Sequence, residues 1–321
     1  MSARIQSLDL IKIIAMIMVV GLHVKVGGGL EDSAILRLQT GVGLCAIPLF
    51  FMVSGYLMQS KMPDYRYVLG KIAKILRFVL IIIAATCVVT GVIEHHPRVH
   101  GLYLWFVQKG TYWQFWYFGS MILIYLLAPL LCRLVESKYC FASVASCAAV
   151  CTVVFFLNKY IDFEHTYICQ TFRLWNWCLY FMLGACLKQY GVPKVHWVIP
   201  VIMAANCALL VAYGPLKGVE YYHCSLFSAL YSLSVFCAVM SYPIEGSSPV
   251  SELSKLFLPV YTFHPFFYRW YARLAEQGVF FLPSIHPAAA YVERFSTVLI
   301  VSILTSWLIM KLPYMDRVFK L

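Results

Sequence analysis

The fold class this sequence predicts is all-α: a polytopic integral membrane protein of about ten transmembrane helices. Three observations predict it. Of 321 residues, 62% are hydrophobic and only 12% charged, where a soluble domain holds roughly half and a quarter. Mean hydropathy is +0.78. The apolar residues gather into long runs bounded by charge, Pro or Gly, and the charges fall in the short connections between them. Such a balance excludes a water-soluble enzyme and a disordered chain.

Taken in order, the runs lie near 8–26, 43–60, 70–93, 115–132, 141–158, 172–189, 195–213, 223–241, 251–273 and 291–312. Each approaches the roughly 20 residues that a bilayer requires. The run 251–273 contains Pro259 and Pro265 and closes on Arg269 and Arg273, which a kinked, pocket-lining helix tolerates. No composition shift marks a second domain, so residues 1–321 are read as a single transmembrane domain. The first run lacks a small-residue cleavage site, and no cleavable signal is expected. With the N-terminus inside, the second connection carries Lys61, Arg66, Lys71, Lys74 and Arg77, the densest basic cluster. Arg133, Lys138, Lys188, Lys194, Lys311, Arg317 and Lys320 fall on the same side, which predicts cytoplasmic N- and C-termini. The net charge of +11 therefore reads as topology, and no nucleic-acid partner is expected. Twelve cysteines without a Cys-x-x-Cys pair read as small buried hydrophobes.

Ionisable groups at membrane depth are costly and mark candidate sites. In LDLIKIIAMIMVVGLHV, Lys12 and His23 are 11 residues apart, so an ideal helix brings them within about 20° of one face and about 16 Å apart along the axis. Asp9 reads as structural, with Ser7 capping the helix and the carboxylate complementing its dipole. For Lys12, snorkelling to the inner interface and phosphate binding both stay open. His23, past the midplane, is poised for proton abstraction. A second histidine, His264, stands in LPVYTFHPFFY with Tyr261 one turn back on nearly the same face, at a depth within about two turns of His23. One shared pocket and a simple interhelical hydrogen bond both account for it. Ser54 and Gly55, in mid-span, suit close helix packing. Trp113, Trp116 and Tyr117 read as an aromatic belt, or as platforms for a sugar or lipid head. Lys71, Lys74 and Arg77, spaced by three, suit lipid headgroups or an anionic nucleotide moiety. His95, His96 and His100 cluster in one outer loop, but no second ligand set supports a metal there.

The segments LDLIKIIAMIMVVGLHV, IPLFFMVSGYLM, KIAKILR, FWYFGSMILIYLLAPLL, YFMLGACL and VYTFHPFF, in this order, resemble the bacterial integral-membrane acyltransferase-3 family. The resemblance runs through most of the chain. It implies about ten helices in a bacterial cytoplasmic membrane, acetyl-CoA or a related donor, and an essential first-helix His preceded by a basic residue, here His23 and Lys12. The basic pair opening the third helix maps to Lys74 and Arg77. Lys stands at two positions where Arg is usual, and loses the bidentate fork Arg offers a phosphate.

The reading that results is a membrane O-acyltransferase, specifically an O-acetyltransferase, acting on a hydroxyl of a surface glycan or its lipid-linked precursor. Lys12, Lys71, Lys74 and Arg77 would meet the donor's phosphates, His23 would act as base, and His264 or Tyr261 would orient the acceptor or stabilise the oxyanion. Trp116, Tyr117 and Ser54 would contact the acceptor. An acyl-His23 intermediate is equally compatible. No metal is expected. The expected partners are the lipid bilayer and the glycan, with homo-oligomerisation open. The competing class is a transporter or flippase, disfavoured by the lack of a visible inverted repeat.

Overall fold

A computed structural model of the chain describes residues 5–24, 34–93, 103–161, 167–214, 219–242, 244, 248–279 and 287–320. Among these the regular structure is helical and no strand occurs. Six stretches among the described residues are long and apolar enough to cross a membrane: Gln6–His23, Ala34–Gln59, Tyr65–Val89, Trp113–Glu136, Cys140–Ile161 and Ala288–Met310. Val198–Tyr213 and Leu226–Ser241 are shorter apolar helices. Large apolar side chains such as Leu80, Val88, Phe141 and Val153 point outward, the surface a bilayer rather than water would cover. The chain is an all-α polytopic membrane protein.

Two compact units divide it, one of residues 1–53 and 192–313, the other of residues 54–191 and 314–321. In the first, α1 (Gln6–His23) packs against α2 (Ala34–Gly43), α10 (Leu226–Ser241), α11 (Ser248–Lys255), α12 (Phe257–Glu276) and α13 (Pro287–Met310), and the single turn α9 (Val219–Tyr222) meets α2. The run expected as a helix over 43–60 is one, α3 (Ala46–Gln59), and a further helix that no apolar run marked, α2, precedes it. α2 and α3 meet at a turn over Leu44 and Cys45. The break is buried, and α10 supplies its missing donors: Ser228 Oγ reaches the Leu44 carbonyl at 3.4 Å and Tyr231 Oη the Val42 carbonyl at 3.2 Å. Sequence periodicity does not register such side-chain support. α2 lies so close to α8 (Val198–Tyr213) that a Cβ on Gly41 would stand 2.5 Å from Ala208 Cα, the close approach that small residues permit. Arg37 then donates to the carbonyls of Val211, Ala212 and Gly214 at 2.8, 2.9 and 3.3 Å, satisfying the orphan acceptors at the end of α8.

The second unit holds α4 (Tyr65–Ile93), α5 (Trp116–Glu136), α6 (Cys140–Ile161) and α7 (Leu174–Tyr190). The basic cluster expected in a loop is mostly helical. Asp64 Oδ1 accepts from the Tyr67 backbone N–H at 2.7 Å, an N-cap that starts α4 early enough to carry Arg66, Lys71, Lys74 and Arg77. On α3, Gly55 abuts α7, where a Cβ would come 1.9 Å from the Phe181 carbonyl oxygen. The segment 167–173, which includes the 3-10 turn Gln170–Phe172, is held by side chains: Trp177 Nε1 donates to the Gln170 carbonyl at 2.7 Å, Ser120 Oγ to the Thr171 carbonyl at 3.2 Å and Thr171 Oγ1 to the Phe106 carbonyl at 2.5 Å. None of the twelve cysteines forms a disulfide, and seven are buried.

Candidate active site

The first unit brings the two histidines together. α1 ends at His23, where the Val24 backbone N–H closes on the carbonyls of Val20 and Gly21. Gln39, on α2, donates its side-chain amide to the Gly21 carbonyl and, at 3.4 Å, to Val24. That clamp fixes the last turn of α1 and with it the direction of His23. Across from it, the run expected as one kinked helix over 251–273 divides at Leu256 into α11 and α12. Pro259 falls in the first turn of α12, where its missing N–H costs nothing, while Pro265 stays inside the helix. His264 is fully buried one residue before it.

His23 Nδ1 and His264 Nε2 are 2.7 Å apart. Their rings are near parallel, 19° apart, with centroids separated by 4.9 Å. Two rings whose nitrogens approach this closely while their centres stay apart meet edge to edge, so the contact is an in-plane hydrogen bond. Its direction follows from the next partner. His264 Nδ1 lies 3.0 Å from the Val260 carbonyl, and a carbonyl only accepts, so Nδ1 carries the proton. A neutral His264 then presents a lone pair at Nε2, His23 donates its Nδ1–H to it, and His23 Nε2 is left as the basic nitrogen. A backbone carbonyl thus sets, through one imidazole, which nitrogen of the other can take a proton. Tyr261 is buried beside the pair, its ring centroid 6.1 Å from that of His264.

Elsewhere in this unit, Lys12 donates to Asp9 at 3.2 Å, and Asp9 is 3% exposed. Ser7 does not cap the helix, because α1 begins at Gln6 with Ile5 as N-cap and no capping side chain. Asp9 is thereby the partner of Lys12 rather than only a complement to the helix dipole. In the second unit, Lys74 and Arg77 are exposed on α4 and Lys71 is half-buried. Trp116 and Tyr117 open α5 after a single 3-10 turn, Trp113–Phe115. They are not an outward-facing belt. Both are buried, Trp116 against Trp177 with centroids 5.4 Å apart, and Tyr117 shares the half-buried Ser54 hydroxyl with Tyr125. His95, His96 and His100 lie outside the described residues. Among the described residues no three His, Cys, Asp or Glu side chains gather as a metal-binding group.

One participant was not legible in advance: Gln39, on a helix the apolar runs did not mark. No curated protein sequence and no solved structure matches the chain. The family model of an acyltransferase domain matches residues 5–311, nearly its whole length, and both histidines fall inside that match. The chain is a member of the acyltransferase-3 family of membrane acyltransferases.

Proposed function

We propose that this protein transfers an acetyl group from acetyl-CoA to a hydroxyl of a cell-surface glycan or its lipid-linked precursor, in a bacterial cytoplasmic membrane. The observation that supports a transferase mechanism best is the chain Val260 carbonyl, His264, His23, which leaves His23 Nε2 as an oriented base. The acceptor oxygen attacks the thioester carbonyl as its proton passes to His23 Nε2. The resulting imidazolium keeps its Nδ1–H bonded to His264, a charge-assisted bond stronger than the one it replaces. On collapse the C–S bond breaks, and the proton returns from Nε2 to the leaving thiolate. Tyr261 is assigned to the oxyanion or the acceptor. Lys12, with Lys71, Lys74 and Arg77, is assigned to the donor's phosphates on charge and sequence position. Trp116, Tyr117 and Ser54 are assigned to acceptor contacts on residue type.

Mass spectrometry of surface glycans tests the reading in cells carrying the wild type or His23→Ala at matched protein levels. Acetylation should be present in the first and lost in the second. Equal acetylation in both would overturn the role of His23, and a wild type that moves a solute across proteoliposomes without consuming acetyl-CoA would replace transfer by transport.

A further inference from the structure

α2 packs against both α1 and α8, and its residues divide by face. In a helix, positions four apart lie within about 40° of one face, and positions two apart are turned about 200° from each other. Arg37 and Gly41 make one face. Arg37 Nη1 reaches the carbonyls of Val211, Ala212 and Gly214 at 2.8, 2.9 and 3.3 Å, and Gly41 lets the α2 backbone come against Ala208. Gln39 and Gly43 make the opposite face. Gln39 Nε2 donates to the carbonyls of Gly21 and Val24, two positions before His23 and one after it. A Cβ on Gly43 would stand 2.5 Å from Leu22 Cδ2, on the residue next to that histidine.

The contacts that α2 makes with the last turn of α1 are thus backed, across the width of the same helix, by a seat on α8. The end of α2 is fixed as well, because Tyr231 Oη donates to the Val42 carbonyl at 3.2 Å. A helix end frays unless its orphan carbonyls find donors, and Gln39 is the side chain that brings one to α1. The 2.7 Å contact between His23 and His264 weakens steeply with distance and angle. A shift of α2 therefore moves the Gln39 amide, the last turn of α1 and the His23 ring in succession.

We infer that α2 is a spacer that sets the position of His23, with Gln39 as a positioning residue and Arg37, on the opposite face, as a second one acting through it. This rests on the reading of His23 as the base of acyl transfer. Arg37 is turned to α8, so its effect on the base passes through α2.

The experiment uses the full chain in nanodiscs with isotopically labelled histidines. The readouts are CoA thiol release with acceptor present, melting temperature, and the ring-nitrogen NMR signals of His23, identified by their loss in His23→Gln. Gln39→Met keeps length but removes the donor; it should lower kcat roughly 3- to 10-fold, the scale of one neutral hydrogen bond, with donor KM unchanged. Gln39→Lys returns a donor to the end of α1 and should recover most of that loss. Arg37→Met should lower kcat by a similar factor, and in the Gln39→Met background it should add little, because the contact it acts through is already gone. Gly43→Ala presses on Leu22 and leaves Arg37 intact, so it should lower kcat in the same way even where Arg37→Met fails to accumulate. Each variant that lowers kcat should also weaken the signal of the His23 Nδ1–H tautomer. Variants that melt lower but keep the kcat and the His23 signals of the wild type would overturn the spacer. Losses from Arg37→Met and Gln39→Met that multiply in full would overturn the action of Arg37 through Gln39. His23 signals that change as stated, in a protein that transfers no acyl group to any acceptor, would sink the transferase reading and leave the spacer standing.

Discussion

Replacing His264 by Phe keeps a ring of similar size in the buried site but removes both nitrogens that fix the tautomer of His23. In the wild type the His23 Nδ1–H is held by a 2.7 Å bond to a fully buried acceptor. Without that acceptor the proton has no reason to stay on Nδ1. The neutral imidazole is then free to carry it on Nε2, the nitrogen that must be bare to act as base. In the transition state the loss is larger, because His23 is then cationic. A hydrogen bond to a charged group contributes about 1.5–3 kcal/mol, so kcat should fall roughly 10- to 150-fold, with little change in donor KM. His264→Gln places an amide where Nε2 stood, and its carbonyl can accept from His23, so it should recover much of what Phe loses. The assay is CoA thiol release by purified protein in nanodiscs with acceptor present, alongside melting temperature for each variant. A merely structural histidine would give Phe and Gln variants that melt lower but turn over alike. A His264→Phe protein with kcat within threefold of wild type would refute the oriented-base argument.

Other expectations follow from neighbouring observations. Because Asp9 is buried under Lys12, Lys12→Met should lower the melting temperature as well as raise donor KM; adding Asp9→Asn should restore stability but not donor affinity, and full recovery of both would show that Lys12 serves only its carboxylate. Gly55→Ala forces a methyl against the Phe181 carbonyl, so α3 or α7 must move at a cost of about 1–3 kcal/mol; an unchanged melting temperature would contradict the packing. Cysteine labelling should find residues 61–64 and the C-terminus on the cytoplasmic side, and external labelling of the C-terminus would reverse the orientation read from the basic residues.

The helices were legible where apolarity is continuous, and the breaks were not. α1, α5 and α6 begin and end close to where the runs do, because charge or turn residues bound them. The helix α2 before the turn at Leu44 and Cys45 escaped, since the support of that turn lies more than 180 residues away in Ser228 and Tyr231. The pairing of His23 with His264 was suggested by their depth, but the order of donors and acceptors depends on the Val260 carbonyl, which any residue at 260 would supply. Ser7 illustrates the opposite error: a good capping residue lies inside the helix because the helix starts at Gln6, two residues before the start that a Ser7 cap implies. Trp116 and Tyr117 look like interface residues by type, yet they are core because Trp177 and Ser54 meet them.

The discontinuity of the first unit bears on how the protein is made. Residues 54–191 stand between its two parts, and His23 meets a partner 241 positions later. Arg37 likewise waits for carbonyls about 175 positions downstream. In the second unit, the 167–173 segment finds Phe106, Gln108 and Ser120 already synthesised. As the ribosome proceeds, the helices of residues 54–191 can pack together first, with residues 314–321 joining that unit last, while α1 stands in the bilayer with Lys12 tied to Asp9 and His264 not yet made. A nascent chain halted anywhere before residue 260 therefore lacks both the second imidazole and the carbonyl that orients it, so the base is not set until the polypeptide is more than four-fifths complete.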